Sequence, residues 1–311
     1  MAHNIETMFY TREAPWHGLG NRVEHALSSK DALQVAGLDW KVIQKPIKTQ
    51  DDMIIPGYKA NIRETDHRVL GVVTDRYSIV QNHEAFKFTD ELLGEGVRYE
   101  TAGSLHNGKK VWLLAKLPEQ YIVLGDHISP YMVFSNSHDG SGSIKVAMTP
   151  IRVVCQNTLN LALSSAKRIW TTMHTGDVKS KLSEAKKTIL LAEHYMNKLG
   201  AEVERLNRIK LSDQKVMEYI ELLFPMSDNA TKLQEKNVMQ LRNDLQIRYF
   251  DAPDLTHVNK SGYRFICAVS DFATHAPPLR ETASFKENLF NRTIEGNAVI
   301  DKAYEMLLST A

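Results

Sequence analysis

The chain of 311 residues is 43% hydrophobic and 24% charged, values that are ordinary for a folded globular protein and that exclude wholesale disorder. Its length exceeds that of a usual single domain, so two domains, or one domain with a large appendage, are expected. The net charge of +1 gives no global attraction to nucleic acid or to an anionic membrane, so any polyanion must be recognised by a local patch.

The sequence shows no signal for membrane insertion or export. Its longest apolar runs contain or adjoin charged residues and fall short of the roughly 18 apolar residues that a transmembrane helix needs. The N-terminal stretch has no apolar core of signal-peptide length. These features predict a cytoplasmic protein with no membrane partner.

Cysteine and histidine usage gives no signature of a metal site or a disulfide. The two cysteines, Cys155 and Cys267, lie in apolar runs, where a free cysteine is ordinarily a small buried side chain. The twelve histidines form no HExxH motif, so we expect neither a metal nor another cofactor.

The N-terminal part of the chain combines strands with two helices. Apolar alternation predicts strands over residues 57–65, 68–80, 109–117, 120–125, 130–137 and 143–155. Helical spacing predicts helices over 29–38 and 82–96, with Ser29 and Asn82 as their N-caps. Together these elements predict an α+β domain over residues 1–176 whose sheet is mainly antiparallel.

Two connections between the predicted strands carry strong turn signals. Asn107-Gly108 predicts a tight turn between neighbouring strands. The segment SHDGSGS, residues 137–143, predicts an exposed β-turn that joins two antiparallel strands. Beyond this turn, strand alternation predicts that Val153 and Cys155 face the core while Arg152 faces the opposite side.

From about residue 177 onward the hydrophobic pattern becomes helical. Apolar residues spaced three and four apart form one stripe along residues 179–212, and shorter helical patterns follow at 213–224, 229–250, 263–276 and 297–308. We therefore expect a helical region over residues 177–311 that packs against the sheet, because the apolar stripe must be buried.

The sharpest charge asymmetry lies within residues 145–187. Eight basic and two acidic side chains give this segment a local excess of +6 in a chain whose net charge is +1. Such an excess is typical of a surface that binds a polyanion. The basic residues are Lys145, Arg152, Lys167, Arg168, Lys179, Lys181, Lys186 and Lys187.

This asymmetry, with nearby aromatic residues, predicts an interface for single-stranded nucleic acid. The predicted phosphate contacts are Lys145, Arg152, Lys167 and Arg168. Trp170 is the first candidate to stack on a base, and Tyr131 is the second. The alternative is that the cationic residues decorate a solvated surface and that the aromatic residues belong to the core.

The same region allows a catalytic interpretation. Cys155 with His138 as its base would suit a cysteine-dependent hydrolase, but Cys155 lies in a strand-like run where core burial is the usual role of a cysteine. The SHDGSGS loop lacks the Gly-Lys-Ser/Thr ending of a phosphate-binding P-loop, so we do not expect nucleotide hydrolysis.

Four segments of the N-terminal half resemble the phage- and plasmid-related proteins grouped as domain of unknown function 932. They are residues 15–42, 69–93, 99–117 and 130–163, and the last of them, PYMVFSNSHDGSGSIKVAMTPIRVVCQNTLNLAL, is the most distinctive. The helical half is similar only in residues 262–276 and 296–308. The resemblance implies a mobile-element protein and supplies no catalytic residues.

The residues and the resemblance together predict a single-stranded DNA-binding protein of phage or plasmid recombination, of the annealing or accessory type. It would act in the cytoplasm, that of the host cell if a phage encodes it, without a cofactor. A homo-oligomer is expected, because few phosphate contacts bind weakly in one copy and repetition raises avidity. The alternative is a counter-defence protein that binds a host enzyme.

Overall fold

The computed structural model of the protein describes residues 5–11, 21–25, 27–94, 98–117, 121–152, 157–158, 161, 169–189, 192–280, 282, 292 and 296–309. Sheets that are mainly antiparallel occupy the N-terminal and central parts, and helices dominate the C-terminal part. The predicted α+β fold class is thereby confirmed.

Twelve strands and eight α-helices are found in the described residues. The strands are β1 (Ile5–Tyr10), β2 (Asn21–Arg22), β3 (Val42–Lys48), β4 (Ile54–Arg63), β5 (Val69–Thr74), β6 (Arg98–Leu105), β7 (Lys110–Lys116), β8 (Tyr121–Val123), β9 (Asp126–Ser137), β10 (Ile144–Arg152), β11 (Asn157–Thr158) and β12 (Ile169–Thr172). The helices are α1 (Ser29–Val35), α2 (Asn82–Leu93), α3 (Val178–Ile189), α4 (Ala192–Arg208), α5 (Asp213–Leu223), α6 (Lys232–Phe250), α7 (Gly262–His275) and α8 (Ala298–Leu308).

The chain divides into two compact units, each built from separated stretches of sequence. The first unit comprises Met1–Pro118, Tyr131–Met148 and Arg168–Ala192. The second comprises Glu119–Pro130, Thr149–Lys167 and Glu193–Ala311. The single boundary that the sequence suggests after residue 176 stays a prediction.

The main sheet of the first unit has the strand order β10-β9-β7-β6-β1-β2, and β12 pairs with β10. Alternate residues of its central strands share one buried face, because successive strand side chains point to opposite sides. Leu113 of β7 lies opposite Phe134 of β9 and Ala102 of β6, and all three side chains are buried in the core. Helices α1 and α2 contribute Ala32 and Phe86 to the same core.

A second sheet of the first unit consists of β3, β4 and β5 in that order, with antiparallel pairing throughout. One face of it turns inward, where Asn61 is fully buried opposite Gly71. The other face is exposed and largely apolar: Tyr58 is 50% exposed, Val69 55% and Val72 57%.

Local sequence explains most turns and helix ends. The predicted Asn107-Gly108 turn is confirmed: both residues have positive φ angles, 59° and 84°, and they join β6 to β7. The N-cap of α2 is Gln81 rather than the predicted Asn82, because the backbone N–H of Gln81 donates to Glu84 in a capping box. The position shifts by one residue, which frees the Asn82 side chain for a different partner.

The helices of the second unit enclose a core of their own. Buried positions recur along α4 at Tyr195, Leu199, Val203 and Leu206, as the apolar stripe predicted. Cys267 of α7 is buried, as its apolar sequence context predicted. No helix in the described ranges is both long enough and apolar enough to cross a membrane.

Candidate functional site

Part of the predicted nucleic-acid interface lies outside the described residues. Lys167 and Arg168 fall there, as do Val153 and Cys155 of the predicted core-facing strand. Arg152 ends β10, where its backbone pairs with Asn157, but its side chain is not described. The predicted orientations of these side chains therefore stay predictions.

The pairing of β10 with β12 fixes the positions of Lys145 and Trp170. Val146 lies directly opposite Trp170, so both side chains occupy the same face, and the half-buried Trp170 packs against the core there. Lys145 lies opposite the exposed Thr171 and points to the other face. The predicted phosphate contact and the predicted stacking residue are thus neighbours on opposite faces of the edge strand pair.

Tyr131 belongs to the core of the sheet and not to an exposed surface. Only 2% of this residue is exposed, and its hydroxyl donates to Glu100 Oε2 at 3.1 Å. A base needs an accessible ring face for stacking, and a buried ring offers none. We therefore remove Tyr131 from the set of proposed nucleic-acid contacts.

The loop between β9 and β10 is exposed only at its tip. Gly140 and Ser141 are exposed, whereas His138 is fully buried. The loop packs over β5 so closely that a Cβ atom added to Gly71 would lie 2.5 Å from the Cα atom of Asp139. The expected exposed turn is therefore a loop whose first half is anchored inside the first unit.

Asp139 stabilises the tip of this loop. Its Oδ1 atom accepts from the Ser137 hydroxyl at 2.6 Å and from the Ser141 backbone N–H at 2.9 Å. Partial burial opposes ionisation of Asp139, but these hydrogen bonds hold its pKa below the ordinary value. The carboxylate is therefore charged at neutral pH.

His138 is anchored through one ring nitrogen and leaves the other without a partner. Its Nε2 atom lies 2.9 Å from Oδ1 of Asn82, whose Nδ2 atom donates to the carbonyl of Leu38 at 2.9 Å. Because the amide oxygen can only accept, the proton of the neutral imidazole lies on Nε2. The buried Nδ1 atom then carries a lone pair, and no described group donates to it.

Asn136, like His138, has one atom that is hydrogen-bonded and one buried acceptor that meets no described donor. Its Nδ2 atom donates to the carbonyl of Val80 at 3.0 Å, while its buried Oδ1 atom meets no donor among the described residues. Asn136 and His138 are separated by two positions at the end of β9. A buried acceptor left in this state is costly unless a ligand or an ordered water satisfies it.

His174 follows β12 and supplies a third acceptor. Its Nδ1 atom lies 3.1 Å from the Ser78 carbonyl, so this nitrogen carries the proton and the buried Nε2 atom carries a lone pair without a described partner. The ring stacks on Tyr77 with centroids 4.5 Å apart. Tyr77 in turn donates its hydroxyl to the Ser137 carbonyl, which connects His174 to the loop that holds His138. We call Asn136, His138 and His174 the acceptor cluster.

Burial keeps both imidazoles of the acceptor cluster neutral. Desolvation lowers the pKa of His138 to about 3, and the negative charge of Asp139 opposes the decrease. Desolvation also lowers the pKa of His174, although the hydrogen bond to Ser78 opposes the change. Neutral imidazoles with a lone pair are the form in which histidine binds metal ions. Within the described ranges, no group of three or more His, Cys, Asp or Glu side chains is arranged around a metal position.

The sequence pattern did not reveal the acceptor cluster. The sequence suggests His138 as a catalytic base, but this residue is fully buried, so a substrate could reach it only if the loop opened. Asn82, predicted as a helix cap, is instead the partner of His138. The one sequence signal was the placement of Asn136 and His138 in the most distinctive segment of the chain.

Residues 69–294 match the family model described as Domain of unknown function (DUF932). The matched span begins at β5 and includes all three residues of the acceptor cluster. Neither a curated protein nor a solved structure shows significant similarity to the chain.

Proposed function

The chain belongs to the domain of unknown function 932 family, and we propose that it binds single-stranded DNA, without nucleotide hydrolysis, as an annealing or accessory protein of phage or plasmid recombination. The observation that carries the proposal is the pairing of β10 with β12. In this pairing Ile169 lies opposite Ala147, which is two residues after Lys145. Ile169 directly follows Arg168 in the sequence. The described strand that directly follows Lys167 and Arg168 in the sequence therefore pairs with the strand that carries Lys145.

The position of β12 at the sheet edge allows one strand of nucleic acid to use both faces. A nucleic-acid strand that runs along this edge can place a phosphate near Lys145 on one face and a base against the accessible part of Trp170 on the other. We assign the contacts to Lys145, Arg168 and Trp170 of the first unit. Arg152 and Lys167 belong to the second unit and stay as additional candidates.

Salt dependence tests this proposal directly. Fluorescence anisotropy of a labelled oligonucleotide should show affinity that falls with salt, with a log–log slope of about −1.4 for two neutralised phosphates and about −3 for four. Lys145→Gln and Arg168→Gln should each reduce the slope by about 0.7. Lys236→Gln, an exposed position on α6, is the matched control and should change nothing. Absence of binding at low salt would remove the DNA-binding proposal.

We further propose that the exposed face of the β3–β5 sheet contacts a second copy of the chain. Contiguous exposed apolar surface of this kind marks an interaction site. Strand β5 carries no charged residue, whereas Lys45 of β3 lies opposite Ala60 on the same face. Two copies that meet at β5 would therefore avoid like-charge repulsion. Assembly would also repeat the few phosphate contacts along one DNA strand and raise avidity.

Light scattering with Val72→Lys tests the assembly. The substitution places a charge on an exposed position of the face and should shift the chain towards the monomer. Leu233→Lys, at a position of α6 that is at least as exposed, should not. A native chain that is monomeric at micromolar concentration, with and without a long oligonucleotide, would refute self-association. If DNA binding also failed, the alternative of a counter-defence protein whose face binds a host enzyme would become the better explanation.

A further inference from the structure

Residues of β12 and of the segment that follows it alternate between exposed and covered positions. Thr171, Met173 and Thr175 are exposed, whereas Thr172 is half-buried and His174 is buried. Such alternation places the three exposed side chains on the same side of an extended chain, because successive side chains point to opposite sides. We call Thr171, Met173 and Thr175 the exposed row.

Met173 gives the exposed row an apolar centre. Its exposed fraction is 65%, and no large apolar side chain in the described part of the first unit is more exposed. Methionine is flexible and carries a polarisable sulfur, so it adapts to a flat surface and makes favourable contacts with aromatic rings. A planar ring placed on Met173 would remove this apolar surface from water.

Strand pairing places a lysine at one end of the exposed row. Lys145 of β10 lies directly opposite Thr171 of β12, so the two side chains leave the sheet on the same face. Trp170, the other proposed contact of β12, lies on the opposite face. The Lys145 face therefore combines a cation with the apolar side chain of Met173.

A second lysine lies at the other end of the exposed row. The Nζ atom of Lys181 in α3 donates to the carbonyl of Thr175 at 2.6 Å, which holds its ammonium group beside the row. An ammonium group has three N–H donors, and this hydrogen bond uses one of them. Asp177, between the two residues in sequence, accepts from the Ser180 backbone N–H at 3.2 Å at the start of α3.

The charge pattern of this surface complements a nucleic-acid strand, in which phosphates and bases alternate. Thr171 and Thr175 are four residues apart, roughly 13 Å at about 3.3 Å per residue. A strand that advances about 3.4 Å per nucleotide when it is stacked, and more when it is extended, covers this span with about two to four nucleotides. Phosphates can thus meet the two lysines while a base between them meets Met173.

We infer that the exposed row holds a base of the bound single strand, with Met173 against the base and with Lys145 and Lys181 on the flanking phosphates. The inference rests on the proposed DNA binding and names two further contacts for it, Met173 and Lys181. It gives the Lys145 face a base contact of its own, so that one face is sufficient to hold a short stretch of the strand.

Two labelled strands of equal length test the contact with the base. One is oligothymidine and the other carries abasic residues in its place, so both offer the same phosphates to the full-length chain. Fluorescence anisotropy should show that the native chain binds oligothymidine at least about tenfold more tightly. Met173→Ser should reduce this preference about three- to fivefold and leave the salt slope unchanged, because it removes apolar contact and no charge.

Matched variants separate the apolar contact from other effects of the substitution. Met239→Ser, at an exposed methionine of α6, should keep the native preference for oligothymidine. Met173→Leu retains an apolar side chain and should keep most of it. Circular dichroism of each variant verifies the native fold.

The contact of Lys181 is tested by salt dependence. Lys181→Gln should reduce the log–log slope by about 0.7 with both strands, because one phosphate contact is lost. Lys181→Arg keeps the charge and should keep the slope. An unchanged slope in Lys181→Gln would remove this residue from the contacts.

The outcomes distinguish this inference from the proposal on which it rests. A native chain that binds both strands with equal affinity would overturn the base contact and leave DNA binding through phosphates intact. An undiminished preference in Met173→Ser would overturn the role of Met173 and assign the base contact to the opposite face. Absence of binding to either strand at low salt would refute the proposed function and this inference with it.

Discussion

The Nε2 atom of His138 lies 2.9 Å from Oδ1 of Asn82, which is 56 residues earlier in the chain. This hydrogen bond joins the first turn of α2 to the loop after β9. Both side chains are buried, and Asn82 also donates to the Leu38 carbonyl. Asn82 is therefore the link between helix α2, the segment before β3 and the acceptor cluster.

Replacement of Asn82 by alanine should destabilise the protein by about 1–3 kcal/mol. The substitution leaves the His138 N–H and the Leu38 carbonyl buried without partners, and the loss of a partner costs more than the hydrogen bond itself contributes. Urea unfolding followed by circular dichroism measures the change. Asn243→Ala, at an exposed position of α6, is the matched control and should stay within about 0.5 kcal/mol of the native value.

Stability should decrease below pH 6.5 because of the buried histidines. The pKa of His138 falls from its ordinary value of 6.5 to about 3 on folding, so the unfolded chain binds a proton that the folded chain does not. The contribution of His138 is complete above pH 6.5 and is lost as the pH falls towards 3. From about pH 7.5 to about pH 5.5 this one group should cost about 1.4 kcal/mol.

Urea unfolding at each pH checks this dependence. His174, whose pKa is also lowered by burial, should steepen the decrease. His138→Gln should make the pH dependence shallower, while His83→Gln, at an exposed position of α2, should leave it as in the native protein. A native chain whose stability is flat between about pH 7.5 and about pH 5.5 would contradict the neutral state of the acceptor cluster.

Arg63→Lys should destabilise the protein by about 1.5–3 kcal/mol. The Arg63 guanidinium is nearly buried, donates to both carboxylate oxygens of Glu6 at 2.8 and 2.7 Å, and also binds Asp66. A lysine ammonium cannot reproduce this planar set of donors. Arg68→Lys is the control in the same network: Arg68 is 42% exposed on its side chain, so thermal unfolding should show a much smaller effect.

Gly71→Ala should disturb the loop that carries His138. The added methyl group would lie 2.5 Å from the Cα atom of Asp139, and backbone at that distance must move. We expect a loss of stability of more than about 2 kcal/mol, because overpacking of backbone is not relieved by a rotamer change. Gly200→Ala should instead stabilise the protein by about 1 kcal/mol, because alanine favours the helical conformation of α4. The added Cβ atom would lie no closer than 3.8 Å to a neighbouring atom, Val123 Cγ2. Guanidinium unfolding of the two variants should therefore show shifts of opposite sign.

The local elements of this protein can be predicted from its residue pattern. Apolar alternation predicted the strands around Leu113 and Phe134, helical spacing predicted the stripe of α4, and Asn107-Gly108 predicted its turn. Each of these depends on interactions within a few residues, because backbone geometry repeats every two residues in a strand and every 3.6 residues in a helix. The α+β fold class follows from the order of such elements along the chain.

Contacts between distant side chains, in contrast, depend on how these elements pack together. The register of β10 with β12 places Lys145 and Trp170 on opposite faces, and packing of the sheet buries Tyr131. The hydrogen bonds of the acceptor cluster span 56 residues for His138 and 96 for His174, and no local pattern encodes contacts at such separations. They form because the loop after β9 and the segment after β12 are buried together, and burial obliges their polar groups to find partners wherever the fold supplies them.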